Sequence, residues 1–227
     1  MLRDTKIIVS KILLPALIHQ TKTCKICFKK LDKTGIFDLI SPVTCLCDEC
    51  RNSFIVHLIR FTVLTHSALA IYEYDDWIKQ ELYTFKGCYD VELAPVFLEK
   101  IIVYLRIRYK GYVIVPVPSY VDDDKTRGFN HVEEMFSFLN LKMLHLIKKN
   151  RPYKQSDQTS QNRSKIKEVL SIENGECLYG KNVLIVDDIY TTGNTMEAMI
   201  ELIRPYKPRK IKVLVMAKTK FHQENKV

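Results

Sequence analysis

The chain has no apolar run long enough to cross a membrane, no internal repeat and no low-complexity tract. These absences exclude a protein built on membrane helices, a solenoid and a disordered polymer. The first twenty residues, MLRDTKIIVSKILLPALIHQ, place Lys and Arg ahead of apolar residues. Lys11 and Pro15 break that run and no small-x-small cleavage site follows, so no signal peptide is expected. The chain is expected to be cytoplasmic. A spread disulfide framework is also missing. There are seven cysteines, an odd number, and five crowd between residues 24 and 50. Cys88 and Cys177 stand apart and are expected to be reduced and buried.

What is present fits an ordinary globular chain. Its 227 residues are 47% hydrophobic and 27% charged, enough for one sizeable core and a small appended module. The net charge of +9 points to a polyanionic partner. Nucleic acid comes first, nucleotide-like phosphates second and an anionic membrane surface third.

Composition divides the chain into a cysteine-bearing module over residues 1–60 and a larger domain over 61–227. RNSFIVHLIRFTVLTHSALAIYEYDD passes from helical to strand-like apolar spacing. ELAPVFLEKIIVYLRIRYK predicts an amphipathic helix, and YVIVPVPSY a buried strand stopped by prolines. FNHVEEMFSFLNLKMLHLIKKN returns to helical spacing, and residues 149–168 predict a long polar loop. KNVLIVDD and KIKVLVMAKT predict further buried strands, with TMEAMIELIRPY a helix between them. Apolar strands alternating with helices predict an α/β fold, a parallel sheet with helices on both faces.

Two motifs carry chemistry. Cys24-x2-Cys27 and Cys47-x2-Cys50 supply four thiolates in two close pairs, the pattern of a closed tetrahedral Zn²⁺ site. Cys45-x4-Cys50 is also possible, although the CxxC spacing favours Cys47. Four protein ligands leave no open position, so the expected zinc is structural, in an N-terminal four-cysteine zinc ribbon.

The second motif is VLIVDDIYTTGNT at 183–195. Ligands of open α/β sheets gather beyond the carboxyl ends of the strands. Asp187 and Asp188 at such an end suit the vicinal hydroxyls of a ribose, directly or beside Mg²⁺. Thr191, Thr192, Gly193, Asn194 and Thr195 then form a turn into a helix start, which suits the sugar's phosphate. Gly175-x4-Gly180-Lys181-Asn182 approaches a nucleotide-binding P-loop. Asn182 replaces the metal-binding hydroxyl, however, and the glycines precede a strand instead of a helix.

VLIVDDIYTTGNT resembles the phosphoribosyl pyrophosphate (PRPP) signature of type I phosphoribosyltransferases. The cysteine pairs, FKG at 85–87, VIVPVPSY at 113–120, RGFNH at 127–131, and Gln155 with Arg163 in the polar loop resemble one branch of that superfamily, the ComF family of competence proteins. The resemblance implies a type I phosphoribosyltransferase-like fold. Asp187 and Asp188 would hold the ribose hydroxyls, and Thr191, Thr192, Gly193 and Thr195 the 5-phosphate. Pro118, Ser119 and Tyr120 would form the pyrophosphate loop, often built on an unusual peptide bond. Arg127 and Lys125 would face the diphosphate, and Arg163 would close over the ligand. Asp122, Asp123 and Asp124 depart from the more basic family pattern, and Lys167 stands near the place of the hood's usual asparagine.

The family further implies a role in bringing transforming DNA into the cytoplasm beside a helicase-like ATPase, ComFA, at the inner face of a membrane uptake complex. Single-stranded DNA is then an expected partner, with Tyr72, Tyr74, Tyr83 and Tyr89 as candidate stacking residues. An active phosphoribosyltransferase of nucleotide salvage is the alternative, although no base pocket is legible. A pure interaction scaffold with a vestigial ligand site is the third reading.

Overall fold

The computed structural model describes residues 23–31, 43–149 and 169–220. Gln155, Arg163 and Lys167 lie outside the described residues, as does the amino-terminal segment considered for a signal peptide. Helix α1 (Asp48–Ser53) follows the second cysteine pair. β1 (Ile59–Val63) and β2 (His66–Glu73) form an antiparallel hairpin. Then come α2 (Asp76–Gly87), a 3-10 segment (Val91–Phe97), α3 (Ile102–Arg108) and β3 (Tyr112–Pro116). Two short helices, α4 (Val121–Arg127) and α5 (His131–Ser137), precede a small antiparallel pair, β4 (Ile147–Lys149) and β5 (Leu170–Ile172). The chain ends on β6 (Asn182–Tyr190), α6 (Asn194–Ile203) and β7 (Lys210–Lys218).

The main sheet has the order β1-β2-β7-β6-β3, with β2, β7, β6 and β3 mutually parallel. All three expected strands are therefore present and parallel. The edge hairpin makes the sheet mixed, a feature the apolar spacing left undivided. Leu64, at φ 53° between the two strands, reverses the chain within that run.

Successive strand residues point to opposite faces, and the core follows that alternation. Leu184, Val186, Leu214 and Met216 join one apolar cluster, with α2, the 3-10 segment, α3 and α5. Val183, Ile185, Val213 and Val215 join the other, with α6 and the β4–β5 pair. Helices thus cover both faces, as expected.

Two predicted helices are broken. ELAPVFLEKIIVYLRIRYK divides into the 3-10 segment and α3, with Pro95 inside the first piece, where proline cannot supply an α-helical N–H. FNHVEEMFSFLNLKMLHLIKKN keeps a helix only over His131–Ser137. Asn140 turns left-handed (φ 55°), and Ile114 then pairs with Met143 as an isolated bridge. Cys177 is half-buried, and Cys88 is exposed, contrary to expectation.

The cysteine module shares the first of these clusters: Cys24, Cys45, Leu46, Cys50 and Phe54 pack in it with Leu69, Tyr72 and Phe97. Glu99, 1% exposed, joins the two parts. It accepts from the Cys45 backbone N–H (2.8 Å), the Cys45 thiol (2.9 Å) and Arg51 Nε (2.7 Å). Removing one partner of a buried ion pair strands the other charge. Arg51→Ala is therefore expected to lower the unfolding free energy by about 3 kcal/mol in urea titrations. Asp48→Ala, which removes an exposed partner of the same Arg51, is expected to change it little. Equal effects would contradict the role given to Glu99.

Candidate functional site

Four cysteine sulfurs, those of Cys24, Cys27, Cys47 and Cys50, lie within 4.8 Å of one another. Tetrahedral bonds of ~2.3 Å to one Zn²⁺ would set sulfurs about 3.8 Å apart. Cys27 Sγ and Cys47 Sγ are 3.6 Å apart, a fit to shared coordination and far beyond the ~2.05 Å of a disulfide. The first pair sits on a tight turn where Cys24 N–H donates to Lys29 O (2.8 Å), and the second opens α1 with Cys47 as its N-cap. Cys45, weighed as an alternative ligand, donates its thiol to Glu99 and stands outside the cluster.

At the carboxyl edge of the sheet, the β3–β6 ladder ends at Pro116 opposite Val186, while β6 continues beside β7 to Tyr190. Asp187 and Asp188 occupy that overhang, so they lie inside the strand and not after it. Adjacent strand residues face opposite ways. With β3 gone, both still line one cavity of about 220 Å³, together with Thr191, Thr192, Gly193, Asn194, Thr195, Tyr74 and Lys86.

The two acids differ. Asp188, 8% exposed, is fully engaged: Lys86 Nζ lies 2.5 Å and His131 Nε2 3.2 Å from its Oδ2, while Ile189 N–H donates to Oδ1 (2.6 Å). Burial works against ionisation of Asp188, yet the Lys86 ammonium and then His131 outweigh it and hold the carboxyl well below the usual range. Among the described residues, Asp187 accepts only from the Asp188 backbone N–H (2.9 Å). Burial first, and then the charge of Asp188, push its carboxyl well above the usual range.

Beyond the acids, the side chains of Thr191, Thr192, Asn194 and Thr195 hydrogen-bond no other described residue and stand ready for a ligand. Gly193 is the N-cap of α6 at φ 85°. The positive φ strains any side chain there, and a Cβ would also press on the Tyr190 ring, so the position favours glycine.

Lys86 and His131 are not singled out by sequence, although FKG and RGFNH contain them. The structure explains RGFNH. Arg127 donates from Nε to the Lys86 carbonyl (3.1 Å) and from Nη1 to Asp124 Oδ1 (3.1 Å), and its Nη1 meets His131 Nδ1 at 3.1 Å. Gly128, left-handed at φ 85°, ends α4. Asn130 caps α5 by accepting from Glu133 N–H (3.0 Å), and His131 follows at the first helical position. Arginine can only donate, so Nδ1 of His131 accepts and its Nε2–H faces Asp188.

Arg127 is thus committed to positioning Lys86 and His131 and does not line the cavity. Asp124 is neutralised by Arg127 and accepts a hydrogen bond from Asn130 Nδ2, and Lys125 pairs with Asp122. Ser119 and Tyr120 line a neighbouring cavity of about 500 Å³ with Asn130, Glu133, His145 and Lys148. Peptide bonds among the described residues are all trans, unlike the expected pyrophosphate loop. Gly175–Leu178 forms a 3-10 turn ahead of β6, so the P-loop-like pattern leads into a strand. Arg163 lies outside the described residues.

The raised Asp187 carboxyl has a consequence for stability. The folded protein holds this proton more tightly than the unfolded chain does. The resulting stabilisation is complete below the unfolded value of ~3.9 and is lost as pH rises through the folded value. Asp187→Asn is neutral at every pH and is expected to raise the Tm at pH 8, with the gain shrinking as pH falls. A Tm at pH 8 equal to or below that of the unaltered protein contradicts this.

Residues 125–226 match the family model of the phosphoribosyl transferase domain. The chain is 28% identical to competence protein ComFC of Bacillus subtilis over 180 residues, 77% of this chain and 75% of that protein. It is 28% identical to ComFC of Streptococcus pneumoniae over 149 residues, 66% of this chain and 67% of that protein. A 36-residue segment, 16% of either chain, is 56% identical to human hypoxanthine-guanine phosphoribosyltransferase. Over most of its length, then, the chain is similar to ComFC competence proteins, and residues 125–226 match the phosphoribosyl transferase domain.

Proposed function

We propose that this protein serves the uptake of transforming DNA, combining a structural zinc ribbon with a PRPP-type ligand site and binding single-stranded DNA. The ligand reading is carried by one observation: a carboxylate that burial makes costly to ionise, Asp187, shares a cavity with a loop at the start of α6 whose Thr and Asn side chains hydrogen-bond no other described residue. Ribose hydroxyls, or Mg²⁺ beside them, answer the acid, and a 5-phosphate answers the loop. Lys86, at the cavity wall, adds a cation suited to the diphosphate. The similarity to ComFC over 77% of the chain supports the role in DNA uptake. In this reading the protein works in the cytoplasm, at the inner face of an uptake complex and beside ComFA.

A second reading, phosphoribosyl transfer in nucleotide salvage, is favoured by the 500 Å³ cavity next to Ser119 and Tyr120, which has room for a nucleophile. A screen for pyrophosphate release with each common base separates the two: release with any base makes the protein a transferase.

Isothermal titration is expected to give Mg²⁺-dependent PRPP binding that Asp187→Ala with Asp188→Ala abolishes; unchanged binding by that variant removes the ligand site from this cavity. In a deletion strain, fluorescent DNA is expected to stop short of the cytoplasm, and normal transformation there removes the uptake role. Protein purified without chelators is expected to hold one Zn²⁺ per chain, lost together with the folded module when Cys27 and Cys50 are changed to Ser. No zinc in that protein contradicts the ribbon.

A further inference from the structure

We infer that the amino edge of the sheet, at the opposite end from the ligand cavity, is the surface that takes single-stranded DNA; the inference rests on the DNA-uptake reading above. β3, β6 and β7 run parallel, so their first residues lie together, away from Asp187 and Asp188. Tyr112, Asn182 and Lys210 form one row across the three strands, and Ile114, Leu184 and Lys212 the next row on the same face. Arg209 N–H donates to Lys181 O (2.9 Å), which brings a further lysine to this edge.

Arg108 and Lys110, at the end of α3, complete the group. Arg108, Lys110, Lys181, Arg209, Lys210 and Lys212 form no ion pair with a described residue. Several lysines elsewhere carry a counter-charge, Lys25 from Glu92, Lys29 from Glu49 and Lys148 from Glu173. Cations gathered without counter-charges raise the local potential and attract an anion. Burial first, and then the charge of Arg108, lower the affinity of Lys212 for its proton, in keeping with such crowding. The Arg108 Nε is buried and has no hydrogen-bond partner.

Aromatic rings are interleaved with these cations. Lys212 Nζ lies 5.1 Å from the half-buried Tyr112 ring, and the Arg108 guanidinium 5.8 Å from Tyr104. Both cations also pack on Tyr109 (5.5 and 5.8 Å), which is buried and holds them in place without being open to a base. Tyr104 is partly exposed and Tyr179, two residues before Lys181, is 73% exposed. Phosphates on Arg/Lys with bases on exposed tyrosine faces is the chemistry that recognises a single strand, because a duplex hides its base faces.

The tyrosines that the sequence offers for this role fit less well. Tyr72 is fully buried and donates to Phe97 O (2.7 Å), and Tyr74 lines the ligand cavity. Tyr83 and Tyr89 are exposed; Tyr83 shares a surface pocket with Asp76, Lys79 and Lys86, the last of which is committed to Asp188, and Asp90 and Glu92 follow Tyr89 in sequence.

Fluorescence anisotropy with a labelled thirty-nucleotide oligo-dT, over a series of salt concentrations, tests the assignment. Arg108→Ala with Lys212→Ala is expected to weaken binding at least tenfold at low salt. It is also expected to flatten the slope of log K against log salt by about 1.4, at ~0.7 per lost phosphate contact. Arg108→Lys with Lys212→Arg should restore both, which a purely structural defect would not do. The exposed pair Lys181→Ala with Lys210→Ala should weaken binding in the same sense, and Tyr104→Ala should weaken the single strand but not a duplex. Unaltered affinity in both alanine pairs overturns this surface while leaving DNA binding intact. A duplex bound as tightly as the single strand overturns the choice of occupant. An unaltered protein that binds no oligo-dT overturns the surface together with the DNA-binding reading itself.

Discussion

The carboxyl edge of the sheet is organised around one buried carboxylate, Asp188. An ion in that position is tolerable only with close partners, and it has two, supplied by separate helices: Lys86 from α2 and His131 from α5. Arg127 then ties the carbonyl of the first to the ring of the second. This small electrostatic knot fixes α2, α4 and α5 against β6. It also places the Thr191–Thr195 loop over a formed cavity instead of a collapsed one.

The same knot explains why the acid pair is unequal. Asp188 is satisfied by the protein, whereas Asp187 is left to burial and to the repulsion of its neighbour. A group that is costly to ionise in the free protein gains most from a hydroxyl donor or a cation brought in by a ligand. The pairing of Lys86 with Asp188 also means that a bound diphosphate competes with Asp188 for the ammonium. On this account ligand binding rearranges charge within the site, and Lys86 is the residue that moves.

Much of this was legible in the residues. The central strands, the cover of helices on both faces, and the phosphate-shaped loop all follow from apolar runs ended by Asp187, Asp188 and Thr191–Thr195, because burial on both faces leaves a continuous apolar signature. The cysteine pairs were legible because their CxxC spacing brings the four sulfurs of Cys24, Cys27, Cys47 and Cys50 together. What was not legible came from contacts distant in sequence. Asp188 and Lys86 are separated by 102 positions, and Glu99 meets Cys45 across 54. The family resemblance implied Arg127 as a diphosphate ligand, and one dimension shows no partner to set against that. In three it is committed to Lys86, Asp124 and His131. The helical spacing after His131 misled for a related reason: Leu139, Leu146 and Ile147 are apolar because they pack in the core, although the helix has already ended.

A crystal structure of the protein with PRPP and Mg²⁺ tests the central claim most directly. The account predicts the 5-phosphate within the Thr191–Thr195 loop, the ribose hydroxyls at Asp187, and the Lys86 ammonium drawn from Asp188 toward the diphosphate. A ligand bound elsewhere, or one bound in the cavity with the Lys86–Asp188 pair intact, would contradict it.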